Sequence, residues 1–280
     1  MSRSKYEHIL TKEFLEEEYI NKKRSSYNIA KEIGCGKSTI LLYLKKYDIE
    51  KRPSNYFGLQ VKYLVNQKYF DTWSPEMAYV LGFTITDGFV SKNKGNLYLG
   101  YGCATKDIKI LEFIRNQLSP TRPIGSYIYF DEQYKKDRCG SCLSIYSLSN
   151  NLINKLLQLG ICERKTGKEF LPTCPEKHKG DLLRGIFDGD GWLEYNSRGT
   201  KNGTSWMYGI CSASHKFLDQ VQKKLCFGYG NITPNNGIWR LRICSRGNIS
   251  HVASVMYKNN YFSLDRKKKL FLDNNFLKSV

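Results

Sequence analysis

A chain of 280 residues is long enough for one large or two modest domains plus an appendage, and its 44 Lys and Arg against 26 Asp and Glu give a formal net charge of +18, spread from end to end. A field of that sign attracts a polyanion or an anionic membrane surface; no apolar run approaches the ~20 residues of a membrane span, so nucleic acid is the expected partner and a membrane is not. Nine cysteines, an odd number, follow a start (MSRSKYEHIL) without the apolar stretch of a secretion signal, which points to reduced thiols in a cytoplasmic compartment of a bacterial, phage or organellar host.

Residues 1–50 are expected to form a small all-α domain. TKEFLEEEYINK places Phe14, Leu15 and Tyr19 on one side of a first helix; SSYNIAKEI and KSTILLYLKKYDI form two more, with Gly34 between them. Glycine takes φ > 0 without strain, and Ala30 lets neighbouring helices approach, so Ile29, Ile33, Ile40 and Leu44 form a shared core. The pattern is that of a helix-turn-helix, with a plain helical hairpin as the alternative. In a helix-turn-helix, Lys37, Ser38 and Thr39 begin the recognition helix, where side chains meet bases or backbone phosphates.

The same stretch contains GCGKSTI, whose GKST matches the end of a nucleotide-binding P-loop. That motif needs a glycine where Lys31 stands and a preceding buried strand where the periodicity reads helix, so the match is one of chance. An ATP-driven enzyme is disfavoured for the same reasons.

Residues 51–73 mix basic and aromatic side chains without clear periodicity and read as a basic linker. From residue 74 the order helix, two strands, helix, two strands, helix is used twice, over 74–174 and 175–280. The expected fold class is therefore α+β: two pseudo-symmetric αββαββα units with antiparallel sheets, plus the N-terminal helical domain. In the first unit Ser74-Pro75 opens the helix EMAYVLGFTITDG; NLYLGYGCA, SYIYFDE and SCLSIYS are strands; DIKILEFIRNQL and NNLINKLLQLG are helices. In the second, DLLRGIFDGDG is followed by strands around GWLEYN and SWMYGICSA, the helix HKFLDQVQKKL, strands around GNITP and IWRLRIC, and the helix NISHVASVMY. A related spacing recurs: Asp87 to Lys165 is 78 residues (165 − 87) and Asp190 to Lys267 is 77 (267 − 190).

Cys139 and Cys142 form a CxxC, and Cys174 with His178 a CxxxH, residue types able to hold zinc. Cys142 also opens an alternating strand segment and no second CxxC is present, so core filling is the favoured reading and zinc the alternative.

VLGFTITDG (80–88) and LRGIFDGDG (183–191) resemble the two LAGLIDADG motifs of a single-chain homing endonuclease. The resemblance spans roughly 74–270, and the N-terminal domain is similar to accessory DNA-binding modules of some members. It implies that the two motif helices pack together, with Gly82 and Gly185 at the contact. Asp87 and Asp190, with Gly88 and Gly191 beside them, would hold Mg²⁺, as hard oxygen ligands at helix ends would favour. It further implies hydrolysis of a phosphodiester in each strand across the minor groove, leaving 3′ overhangs, with Lys165 and Lys267 able to stabilise developing charge. Asp188, opposite Ile85 in the other motif, is expected to be structural.

The sheets are the expected reading surface. In WRLRIC, Arg240 and Arg242 share one face and Trp239, Leu241 and Ile243 the other; Tyr127, Tyr129 and Tyr146 are the corresponding candidates in the first unit. The expected partner is double-stranded DNA with a long asymmetric site, bound by a monomer, the host element being an intron or a free-standing gene. The alternative on the same fold is an RNA maturase acting on intron RNA, or a DNA-binding regulator that does not cut.

Overall fold

The computed structural model describes residues 5–51, 63–93, 96–132, 134–146, 151–200, 203–258 and 261–277. The chain divides into two compact units, Met1–Lys62 and Tyr63–Val280. Among the described residues no helix is long and apolar enough to cross a membrane.

In the smaller unit Thr11 accepts the backbone N–H of Phe14 and opens α1 (Lys12–Leu15), which runs directly into a π-helical stretch, Glu16–Asn21. Ser25 accepts the N–H of Asn28 at 3.0 Å and opens α2 (Ser26–Ile33). Gly34, at φ 75°, ends that helix in the left-handed region, and Gly36 leads into α3 (Lys37–Lys46). Leu10, Leu15, Tyr19, Ile29, Ala30, Ile40 and Leu44 close the core, while Ile33, expected inside it, lies at its rim. The element before GKST is thus a helix, and the phosphate-cradling loop has no strand to follow.

The larger unit is built on two nearly buried helices. Ser74 accepts the N–H of Met77 at 3.1 Å and Pro75 fills the first turn of α4 (Pro75–Thr86), whose residues Met77 to Ile85 are all buried. After β1 (Gly88–Asn93) and β2 (Asn96–Ala104) come α5 (Ile108–Leu118), β3 (Gly125–Asp131), β4 (Lys136–Tyr146) and α6 (Asn151–Gln158). The order then repeats as α7 (Lys179–Asp190), β5 (Gly191–Thr200), β6 (Gly203–Ser212), α8 (His215–Lys224), β7 (Asn231–Asn235), β8 (Ile238–Ile243) and α9 (Arg246–Met256). Each half has one antiparallel four-stranded sheet, ordered β1-β2-β4-β3 and β5-β6-β8-β7. Leu99, Tyr101, Leu143 and Ile145 of the first sheet and Tyr208, Ile210, Leu241 and Ile243 of the second face one continuous core that includes both motif helices.

Three departures from the sequence reading have local causes. The linker expected over 51–73 lies outside the described residues at 52–62, and 63–73 is not free chain: Phe70 is buried in the main core and Asn66 N–H donates to the Leu118 carbonyl at 2.8 Å. β4 begins at Lys136, so Cys142 sits in mid-strand rather than opening it. A further helix that the twofold element order does not contain, α10 (Asp265–Asp273), follows the second unit's last repeat helix, and its Phe271 is buried.

Candidate active site

α4 and α7 meet backbone to backbone. A Cβ on Gly82 would lie 2.2 Å from the Leu182 carbonyl oxygen, and one on Gly185 would lie 2.1 Å from that of Tyr79, so no side chain fits at either position. This close approach brings the two helix ends together, and with them Asp87, the residue after α4, and Asp190, the last of α7.

Asp87 remains open to solvent and Asp190 is half-buried, with protein packed around both carboxyls. Burial, with the Asp190 charge second, pushes the Asp87 carboxyl up to about 6; burial also raises Asp190, against Lys165 and Lys267. Neither carboxylate accepts a hydrogen bond or forms an ion pair with a described residue. Two neighbouring like charges at the negative ends of two helices are unfavourable unless a cation or protons join them.

The two lysines approach from beyond each unit's last repeat helix, Lys165 from a loop and Lys267 from the first turn of α10. Lys165 Nζ donates to the carbonyls of Ile85 (2.6 Å) and Thr86 (2.5 Å) at the end of α4. Lys267 Nζ reaches the carbonyls of Phe187 (2.7 Å), Asp188 (2.8 Å), Gly189 (3.2 Å) and Gly191 (2.8 Å). Each therefore caps a motif helix while placing its charge beside the aspartates. Burial lowers both ammonium groups, Lys267 to about 8. The Gly191 carbonyl, expected beside the metal, accepts from Lys267; a carbonyl retains a second lone pair for another partner. Gly88 starts β1 with no room for a Cβ, which would fall 2.7 Å from the Thr84 methyl.

Asp188 belongs to the scaffold. It is 3% exposed, and its Oδ2 accepts from Tyr79 Oη on α4 and from the Leu264 N–H just before α10, each at 2.8 Å. It thus ties together both motif helices and the segment that carries Lys267. A cleft of about 160 Å³ beside it is lined in part by Asp87, Asp107, Cys103 and Arg266. Asp107 and Arg266 form a two-point ion pair, both contacts 2.8 Å, which holds the carboxyl of Asp107 below its ordinary value despite burial. Sequence reasoning missed this pair because its partners stand 159 residues apart in unremarkable helical contexts. It also missed Arg184, 1% exposed within the second motif, which pairs with Asp181 at 2.7 Å and donates to the carbonyls of Met256 and Phe262.

The reading-surface candidates fall on the side of each sheet opposite the core. Tyr127 and Tyr129 are exposed on β3, opposite Gly140 and Arg138 of β4. Tyr146 stacks on Tyr98 at 5.0 Å, with the Arg122 guanidinium 5.2 Å from its ring. Arg240 and Arg242 lie opposite Cys211 and Gly209 of β6. Lys37 and Ser38 are exposed and Thr39 half-buried at the start of α3, in the other compact unit. Cys139 and Cys142 are on β4, whereas Cys174 precedes Pro175 and His178 is buried against Trp73; among the described residues no group of three or more His, Cys, Asp or Glu is placed to hold a metal ion.

Comparisons with known proteins agree with this architecture in one part of the chain. Residues 178–256 match the model of the LAGLIDADG-like domain family. No curated protein matches the chain. Among solved structures it is similar to I-SmaMI bound to uncleaved DNA target in the presence of calcium ions, at 15% identity over 73% of this chain and 93% of that one, TM-score 0.49. It is also similar to the LAGLIDADG meganuclease I-AabMI bound to uncleaved DNA, at 11% identity over 70% and 87%, TM-score 0.45. Residues 178–256 thus form a LAGLIDADG-like domain, and the same element order is built once before it in the same polypeptide.

Proposed function

We propose that the chain is a metal-dependent, site-specific endonuclease that breaks both strands of duplex DNA. One observation carries the reading: Asp87 and Asp190, at matched ends of two glycine-packed helices, converge as carboxylates that accept no hydrogen bond and form no ion pair with a described residue. That donor set fits a hard divalent cation, Mg²⁺ in the simplest case, held by the two carboxylates with the Gly88 and Gly191 carbonyls adjacent. When bound, such an ion would supply the Lewis acidity that phosphodiester hydrolysis needs.

The chain's own groups do the rest. Lys165 and Lys267 fix the helix ends that aim the aspartates and keep positive charge where negative charge grows in the reaction. Arg240, Arg242, Tyr127, Tyr129 and Tyr146 orient the duplex, and the N-terminal helices, entering through Lys37, Ser38 and Thr39, extend the grip as a helix-turn-helix. Because the two units differ in sequence, the target should be asymmetric and a single chain should suffice to bind it. A homing role for a mobile element in a cytoplasmic or organellar host follows from the family reading.

The test is cleavage of a randomised duplex library in Mg²⁺, comparing the wild type with Asp190→Asn. Double-strand cuts at a recurring site, lost in the variant, support the reading. Binding of duplex or of intron RNA without cutting would instead favour the regulator or the maturase. Removing residues 1–50 should weaken affinity for the recovered target and leave the cutting rate at saturation unchanged; loss of that rate in a folded chain would make the N-terminal unit part of the catalytic machinery.

A further inference from the structure

One aromatic ring stands at the same place on the core-opposite face of each sheet. Phe89 is two residues beyond Asp87 on β1 and Trp192 two beyond Asp190 on β5, about 6–7 Å of strand from each carboxylate. Phe89 pairs across the ladder with Gly100, and Trp192 with Gly209. A Cβ on Gly100 would fall 2.3 Å from the Phe89 ring, and one on Gly209 would fall 2.2 Å from that of Trp192, so each ring rests directly on glycine backbone. The first ring is also held edge-on by Tyr98, with centroids 5.9 Å apart at 82°, and the second has the Arg240 guanidinium 5.7 Å away.

A ring laid on a strand glycine steadies a sheet by itself. Sheet stability alone, however, does not call for both rings to stand beside the paired carboxylates, nor for Phe89 to remain 43% exposed. The surface around them selects the occupant: Arg240 and Arg242 share the face of Trp192, and the chain carries +18. A rigid apolar plate in a cationic setting fits a polyanion that also offers apolar edges, as duplex DNA does through its sugars and the thymine methyl group.

We propose that Phe89 and Trp192 are paired apolar contact points for duplex DNA, one per unit, meeting sugar and base edges next to the phosphates that Asp87 and Asp190 address. The proposal rests on the endonuclease reading and adds two residues to its contact surface.

The test is titration of the full chain with an arbitrary-sequence duplex at low salt and without divalent metal, following tryptophan emission and, separately, anisotropy of labelled DNA. The chain has four tryptophans; the duplex should quench the wild type, and Trp192→Phe should lose most of that quench while still binding. Phe89→Leu and Trp192→Leu should each weaken binding roughly threefold to tenfold with thermal midpoints near that of the wild type. Gly209→Ala, which displaces the ring without removing it, should reproduce the Trp192→Leu loss. Equal quenching in wild type and Trp192→Phe, both bound, overturns the proposal and leaves the endonuclease reading standing. A wild type that binds no duplex overturns both.

Discussion

The two halves of the larger unit share an element order but solve the same local problems differently. At the end of α7, Lys267 is 5% exposed and reaches four carbonyls, whereas Lys165, at the end of α4, is half-buried and reaches two. Asp188 ties the second motif to Tyr79 and Leu264, while Ile85 in the first simply packs in the core. The reading faces differ as well, with Tyr98, Tyr127, Tyr129 and Tyr146 on the first sheet and Arg240 and Arg242 on the second. The repeated element order gives one frame, and each half strikes its own balance of buried charge and surface chemistry. The second half is anchored more by polar bonds, the first more by apolar packing.

The sharpest way to break the comparison is to neutralise each carboxylate. Asp87→Asn and Asp190→Asn should each abolish double-strand cleavage in Mg²⁺ while duplex binding persists; full cutting by either variant would remove the paired-carboxylate site. The metal-free chain should respond in the opposite sense. The folded-state carboxyl of Asp87 titrates near 6, above its ordinary 3.8, so folding holds its proton more tightly and stability falls as pH rises through that interval. Asp87→Asn should therefore raise metal-free stability at pH 7, read as an increase in denaturant midpoint that fades toward pH 4.

The lysines test whether the second half is the more firmly anchored. Lys267→Met leaves buried carbonyls without their donor and should cost roughly 2–3 kcal/mol in urea unfolding, against about 1 kcal/mol for Lys165→Met. Equal losses would mean that the extra carbonyl contacts add nothing. Asp188→Leu strands the Tyr79 hydroxyl and the Leu264 N–H and should cost about 2 kcal/mol, whereas Asp188→Asn, which can still accept both bonds, should cost under about 1 kcal/mol.

The smallest expected effect separates the two reading faces. Replacing Arg240 and Arg242 together by Gln should flatten the slope of log affinity against log salt by up to about 2, since each phosphate contact releases nearly one counterion. Tyr127→Phe with Tyr129→Phe should leave that slope unchanged and alter affinity alone. A salt slope that moved equally in both pairs would show that the faces are electrostatically alike.

Much of this was legible in the residue order because it depends on near neighbours. Ser74-Pro75 and Ser25 announce helix starts through their own side chains, Gly34 announces a left-handed stop, and the alternation in WRLRIC assigns each residue to a face. Asp87 and Asp190 became candidate carboxylates through the resemblance of residues 80–88 and 183–191 to a known motif. Where a segment's role depended on distant partners, the local signal failed. The helix over Asp265–Asp273 went unforeseen because it depends on Phe271 packing against Phe187 and Tyr208 from the second half's helix and sheet. Residues 63–73 looked like linker because Phe70 finds its core among residues much later in the chain.

What the sequence by itself determined is the periodicity, the capping and the duplication, since each is written in spacings of a few residues or in a repeated order. The tertiary structure alone decided that Gly82 and Gly185 face each other, that Asp87 and Asp190 therefore come together, and that Lys165 and Lys267 close the helix ends. Those outcomes require groups some 80 to 100 residues apart to come within bonding distance, as the 80 residues from Lys267 to Phe187 illustrate. Only packing of the whole core fixes such distances, and with them which charges must lie side by side.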